Sequence, residues 1–321
     1  MAKHKKILPI AATAGAIAAV TGAAYGVTKL LVNTALDREA PKLMQNSSNL
    51  ISGSPDDPDL EAFIERAGKA LEEIPHEDVE ITAADGITLK GHWYHRDTDK
   101  RVVLAMHGWR SSWKKDFGAA AEFFLNNDCS VLFAEQRGQN ESGGDQMGFG
   151  LIERFDCFSW ITHLVEATSG TLPIYLSGVS MGAATVLMTA GFDLPKEVHG
   201  IIADCGFTSP YEIWKHISKD NLHLSFGLKG IFANAICRKK INASANEYST
   251  VEALKNATVP VLFIHGTADK FVPVEMTFEN YAACASEKRL LLVPEAGHAL
   301  SYIVDKEKYQ DAVKAFFKDF D

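Results

Sequence analysis

The chain has no surplus of positive charge. Its 321 residues hold 32 Lys and Arg against 41 Asp and Glu, for a net charge of −9. No basic block interrupts the body of the sequence. A nucleic-acid surface needs such a stripe, so that class is excluded. Cysteine is also sparse. The five residues, Cys129, Cys157, Cys205, Cys237 and Cys284, are odd in number, and none forms a Cys-x-x-Cys pair or a zinc spacing. They read as small buried hydrophobes rather than a disulfide framework. There is no internal repeat and no extended low-complexity tract, which sets aside a solenoid. What remains is ordinary globular composition, 46% hydrophobic and 23% charged, in a chain long enough to bury a large core without staples.

The N-terminus differs in kind. Lys3, Lys5 and Lys6 precede an uncharged run from Ile7 to Thr28. At about 1.5 Å per residue the run is roughly 33 Å long, the thickness of a hydrocarbon core. It is rich in Ala, Gly and Thr rather than Leu. Residues 1–32 are read first as a signal anchor, with the basic start inside and the body outside the cell membrane. A cleaved signal peptide, cut near Ala23 and Ala24 and releasing a secreted protein, is an alternative. A buried or surface helix is the third reading. Residues 33–77 read as a helical polar connector, with a loop over Asn46–Pro58 and helical apolar spacing from Leu60 to Ile74.

From Asp78 the rhythm changes. Val79–Thr82 and Ile87–Tyr94 alternate as strands around the turn Ala84-Asp85-Gly86. Six short apolar runs follow, at 102–105, 131–134, 172–176, 198–203, 259–264 and 289–293, mostly separated by helical stretches. Continuous apolar runs with helical crossovers imply parallel strands buried on both faces. The fold class is therefore α/β, with a mostly parallel central sheet flanked by helices. The interval 207–254 contains no strand. It reads as a helical cap over the sheet's C-terminal edge, where ligands bind in such folds. A helical layer without a substrate role is the alternative. Leu224, Phe226, Leu228, Ile231 and Phe232 read either as an apolar pocket lining or as ordinary cap core.

The chemistry concentrates in Gly178-Val179-Ser180-Met181-Gly182. A Gly-x-Ser-x-Gly turn between strand and helix exposes a strained serine as a nucleophile. The pentapeptide arises by chance in about one chain of ten this long, so its setting decides. A strand precedes it and a helix follows. Ser180 needs a base and an acid to orient that base. Of eleven histidines, His298 in Glu295-Ala296-Gly297-His298 follows the last strand. Asp269 in Gly266-Thr267-Ala268-Asp269 follows the strand before it. The order Ser, Asp, His on three strand ends assigns Ser180, His298 and Asp269 as catalytic residues, with Asp204 the alternative acid. The N–H groups of Met181 and Trp109 are the candidate oxyanion donors. The Trp109 indole is a further candidate wall for the acyl pocket. His107 reads as a brace for that loop. No cofactor and no metal are expected.

Taken together, His107-Gly108-Trp109, Gln136-Arg137-Gly138 with Ser142-Gly143-Gly144, Gly178–Gly182, Ala203-Asp204-Cys205-Gly206, Gly266–Asp269 and Ala296-Gly297-His298 resemble the α/β-hydrolase superfamily. The resemblance extends to its serine-aminopeptidase-like bacterial members with N-terminal membrane segments. Those relatives often carry Asp-Arg-Gly-His-Gly after the second core strand, where this chain has Glu135, Gln139 and Asn140 at the first, fourth and fifth sites. The resemblance implies hydrolysis of a small-molecule carboxylic ester. A peptidase or thioesterase on the same triad, or a membrane-tethered binding protein with an idle triad, are the alternatives.

Overall fold

The computed structural model describes residues 7–44 and 57–321, with side chains from residue 18 onward. The basic start at Lys3–Lys6 and most of the expected loop at 46–58 lie outside the described residues. The strands are β1 (Glu77–Thr82), β2 (Thr88–Tyr94), β3 (Arg101–Met106), β4 (Cys129–Ala134), β5 (Ile174–Val179), β6 (Val198–Asp204), β7 (Val261–Gly266) and β8 (Lys288–Val293). They form one sheet in the order β1-β2-β4-β3-β5-β6-β7-β8. The opening hairpin is antiparallel and joins β4 antiparallel; all other pairings are parallel.

The helices are α1 (Ile7–Leu36), α2 (Pro58–Glu72), α3 (Trp113–Leu125), α4 (Glu153–Ala167), α5 (Met181–Thr189), α6 (Pro210–His216), α7 (Gly227–Ile241), α8 (Thr250–Leu254), α9 (Val274–Ala283), α10 (Ser301–Val304) and α11 (Lys306–Phe320). Side chains of β3 alternate between two cores, as the pleat requires. Val103 and Ala105 face Phe117, Phe124, Val313 and Phe316 of α3 and α11. Val102, Leu104 and Met106 face Trp160, Ile161 and Leu164 of α4 and Val186 of α5. Both faces are covered, so the core strands read as unbroken apolar runs. The five cysteines are all buried free thiols.

A third core lies beyond the C-terminal ends of the strands. Val32 and Leu36 of α1 meet Met181, Phe149 and Phe271 of the body and Ile213, Trp214, Phe226, Ala233 and Ile236 of the 207–254 interval. That interval is helical throughout its regular structure, as expected. It holds α6, a π-turn at Ile217–Asn221, α7 and α8. Of the five apolar residues noted there, Leu228 and Ile231 are exposed, and Phe226 is buried.

The N-terminal membrane reading gains no support from the structure. No helix among the described residues is long and apolar enough to cross a membrane. The uncharged run does not end in a separate connector at residue 33, because α1 continues unbroken to Leu36, which is buried. Past the helix, the Met147 N–H donates to Leu36 O at 2.7 Å and the Arg38 N–H to Asp145 O at 2.8 Å. Lys240 of α7 pairs with Asp37 at 2.5 Å. Helix α2 is likewise docked: Glu72 pairs with Lys114 at 2.7 Å, and its Gly68 lies directly on Gly118 of α3.

That crossing generates a stability test. A Cβ on Gly118 would stand 2.7 Å from Gly68 N and 2.9 Å from the Ala67 carbonyl carbon, both backbone atoms that cannot rotate away. Gly118→Val is expected to destabilise the fold by about 1–3 kcal/mol through overpacking, read as a lowered urea midpoint. An unchanged midpoint would mean that α2 is not seated on α3.

Candidate active site

Ser180 stands between β5 and α5, with φ 55° and ψ −114°. A non-glycine residue there is strained by about 1–3 kcal/mol. Two glycines make the turn geometrically possible. A Cβ on Gly178 would lie 2.3 Å from the Gly182 carbonyl oxygen, and one on Gly182 would lie 1.9 Å from Met106 O. The motif therefore encodes backbone contact between the first turn of α5 and the end of β3. The Ser180 N–H donates to Asp204 O at 2.9 Å, fixing the turn from the β6 side.

The structure brings the three sequence-derived residues together. His298 Nε2 is 2.9 Å from Ser180 Oγ, and His298 Nδ1 is 2.7 Å from Asp269 Oδ2. Asp269 is fixed in turn. Its Oδ1 accepts from the Phe271 and Val272 N–H groups at 2.8 and 2.9 Å, and its Oδ2 lies 3.2 Å from Nε2 of the buried His265. His265 Nδ1 is 2.7 Å from Thr277 Oγ1, and Nε2 is 2.9 Å from Val272 O. One tautomer satisfies all three contacts, with Nε2–H donating to Val272 O and Asp269 and Nδ1 accepting from Thr277. Burial pushes the Asp269 carboxyl upward, but the charge of His298 and the bonds from His265 and His298 outweigh it and hold it well below the usual carboxylate range. Burial lowers the His298 imidazole, while the Asp269 charge and hydrogen bond raise it further, so its pKa stands above the ordinary 6.5.

Asp204 is placed elsewhere. Its Oδ1 accepts from Ser301 Oγ at 2.9 Å, and burial pushes its carboxyl up to about 6. It bonds to β8-side structure rather than to the His298 ring.

Trp109 and Met181 flank the serine. Met181 opens α5, so its N–H has no acceptor within the helix. Gly108 lies directly against Ser180, because a Cβ there would be 3.3 Å from Ser180 Cβ. The loop that carries Trp109 is anchored on four sides. Asp116 Oδ2 accepts from the Gly108 N–H at 2.6 Å, and Oδ1 from Ser111 Oγ at 2.5 Å. Gln139 Oε1 accepts from the Arg110 N–H at 2.5 Å. His107, buried, has Nδ1 2.8 Å from Gly108 O and Nε2 3.1 Å from Glu135 Oε2. Burial raises the Glu135 carboxyl, and the His107 and His92 side chains overcome this to bring it down to about 2. Asn140 Nδ2 donates to Glu135 and to Ser111 O, at 2.5 and 2.9 Å. Glu135, Gln139 and Asn140, the departures from the related loop, are thus the residues that brace the Trp109 loop.

The fourth anchor is α1. Trp109 Nε1–H donates to Ala35 O at 2.9 Å. The Arg110 guanidinium donates to Thr34 O at 2.8 Å, Asp37 O at 2.5 Å and Arg38 O at 2.9 Å. One cation thereby satisfies carbonyls left open at the helix C-terminus, where the macrodipole also favours positive charge. Between α1, α6 and α7 lies an open cleft of about 650 Å³, bounded on the body side by Trp109, Phe149 and Phe271. Phe271 packs edge-on against the His298 ring with centroids 4.9 Å apart. Sequence reasoning missed Asp116, His265 and α1. His265 and Asp269 share the His-Gly-Thr-Ala-Asp segment, which is a readable signal. Asp116 leaves none, because an acidic residue in the first turn of a helix is ordinary, and α1 leaves none, because its partners Trp109 and Arg110 lie about seventy-five residues away.

The family model of the prolyl oligopeptidase family matches residues 116–320, more than half of the chain, and that span contains Ser180, Asp269 and His298. The uncharacterized protein YqkD of Bacillus subtilis is 28% identical over 238 residues, covering 74% of this chain and 77% of that protein. The bifunctional esterase/perhydrolase DCH of Acinetobacter calcoaceticus is 22% identical over 258 residues, 68% of this chain and 92% of that one. Among solved structures, the Pyrococcus furiosus esterase Pf2001 superposes with a TM-score of 0.63 at 24% identity, over 78% of this chain and 93% of that one. At that identity the superposition establishes the fold alone. The chain is a serine hydrolase of the α/β-hydrolase superfamily and belongs to the prolyl oligopeptidase family.

Proposed function

We propose that the protein hydrolyses carboxylic esters through an acyl-enzyme on Ser180. The observation that carries this reading is the unbroken hydrogen-bonded chain from Ser180 Oγ through both nitrogens of His298 to Asp269. Ser180 Oγ attacks the ester carbonyl carbon while His298 Nε2 takes its proton. The Met181 and Trp109 N–H groups receive the developing oxyanion. The carbonyl re-forms, the alcohol leaves, and the proton on Nε2 goes to the leaving oxygen. Water, deprotonated by the same nitrogen, then attacks the acyl-enzyme, and Ser180 departs with its proton restored. Asp269 keeps Nδ1 protonated and stabilises the imidazolium in both halves. An aminoacyl amide fits the same steps, and the prolyl oligopeptidase match favours that second reading. The esterase names of DCH and Pf2001 favour the first.

Three outcomes are expected. A fluorophosphonate probe labels the wild-type chain, and Ser180→Ala abolishes labelling; labelling that persists would place the nucleophile elsewhere. Asp269→Asn lowers kcat on p-nitrophenyl acetate by up to about four orders of magnitude, whereas Asp204→Asn leaves most of it, and the reverse pattern would exchange the two acids. The pH profile follows from His298, which must be neutral to accept the serine proton. Its pKa is raised above 6.5, so kcat/KM falls as pH drops through a point above 6.5. Loss of the Asp269 charge in Asp269→Asn moves that limb to lower pH. A limb unmoved by the substitution would uncouple Asp269 from His298.

A further inference from the structure

We propose that the cleft between α1 and helices α6 and α7 holds the acyl part of the substrate, so that the substrates are esters of extended apolar acyl chains and α1 is a specificity-determining wall. This rests on the ester-hydrolase reading above.

Position supports it first. The cleft's inner end is formed by Trp109, which follows the glycine packed against Ser180, and by Phe271, which packs on the His298 ring. Trp109 and Phe271 are therefore shared between the cleft and the surroundings of Ser180 and His298, and an acyl chain on Ser180 reaches the cleft past those two rings in this proposal. Helix α1 supplies one wall through Leu31, Val32 and Ala35, and Trp214, Ile217 and Ala233 face them.

Chemistry supports it second. The hydroxyls and the Trp109 indole that line the cleft have spent their hydrogens on the protein. Thr28 and Thr34 donate to Ala24 O and Leu30 O at 2.7 and 2.9 Å, bonds internal to α1. Ser218 Oγ donates to Leu224 O at 3.1 Å, and Lys229 Nζ to Ser225 O at 2.7 Å. Trp109 Nε1 is committed to Ala35 O. Only the buried Trp214 Nε1 lacks a partner among the described residues. Lys229 Nζ keeps two N–H donors beyond its bond to Ser225 O, so an occupant is offered mostly dispersion contacts, with hydrogen bonds only from Trp214 Nε1 and the Lys229 ammonium. A peptide would arrive with several amide groups, each costly to leave unpaired in such surroundings. A hydrocarbon chain carries no such cost, and each buried methylene contributes roughly a factor of four in binding.

The test uses the full chain. For p-nitrophenyl acetate, butyrate, octanoate and decanoate, kcat/KM of the wild type is expected to climb with chain length. Leu31→Asp, which puts a charge in the α1 wall, and Ile217→Asp, on the facing wall, are each expected to lower the decanoate-to-acetate ratio by roughly tenfold or more. Separately, calorimetry on the Ser180→Ala chain is expected to show decanoate binding with a negative heat-capacity change, weakened in the same proportion by either wall substitution. A flat chain-length profile, decanoate binding that is absent, or a ratio unmoved in both folded variants would overturn the proposal. Because the calorimetric arm needs no turnover, a chain that binds decanoate but cleaves no ester would sink the hydrolase reading and leave the cleft assignment standing.

Discussion

The contact on which the site depends is the one between Gly182 and the end of β3. The first turn of α5 lies so close to Met106 O that no side-chain atom fits between them. That closeness sets the angle at which β5 turns into α5, and the turn is what forces Ser180 into its positive-φ conformation. Strain of this kind persists only where the surroundings over-determine it. Here Gly178 packs on Gly182, Gly182 on the Met106 and His107 carbonyls, and the Ser180 N–H reaches Asp204 O. Ser180 is held by neighbouring backbone, so its position is insensitive to side-chain rotamers.

Around that fixed point the titratable groups divide into two buried networks. One joins His265, Asp269 and His298 on the β7 and β8 side. The other joins His107, Glu135 and Asn140 on the β3 and β4 side, with Asp116 fixing the same loop. In each, a carboxylate kept ionised by neighbouring imidazole and hydrogen-bond donors orients a ring or a loop that faces the serine. The two differ in exposure at the working end. His298 reaches Ser180, while His107 is sealed beneath the loop it braces. This separates a ring placed to exchange a proton from one placed to hold shape.

The sequence made the sheet legible because both faces are covered. Fully buried parallel strands are apolar throughout, and β3 to β7 stand out for that reason, as does the strand-turn-helix setting of Ser180. Ser180, Asp269 and His298 were legible as candidates because each lies within five residues of a strand end, so short local patterns carry them. Asp204 satisfied the same local criterion, and what separates the two is that Asp269 bonds to His298 Nδ1 while Asp204 bonds to Ser301. The docking of α1 was not legible. The docked stretch, Thr28 to Leu36, lies at the end of the uncharged run and just beyond it, and its partners Trp109, Trp214 and Ala233 lie about seventy to two hundred residues away. Glu135, Gln139 and Asn140 looked like departures from a pattern until their contacts tied them to the loop at 107–111.

Arg110 ties two stretches of chain that are far apart in sequence. Its guanidinium grips three carbonyls at the end of α1 while its own N–H is held by Gln139, and the adjoining Trp109 indole grips a fourth carbonyl. The last turn of α1 and the loop beside Ser180 are thus held together by four carbonyls, so the register of that helix end and the position of Trp109 are set jointly.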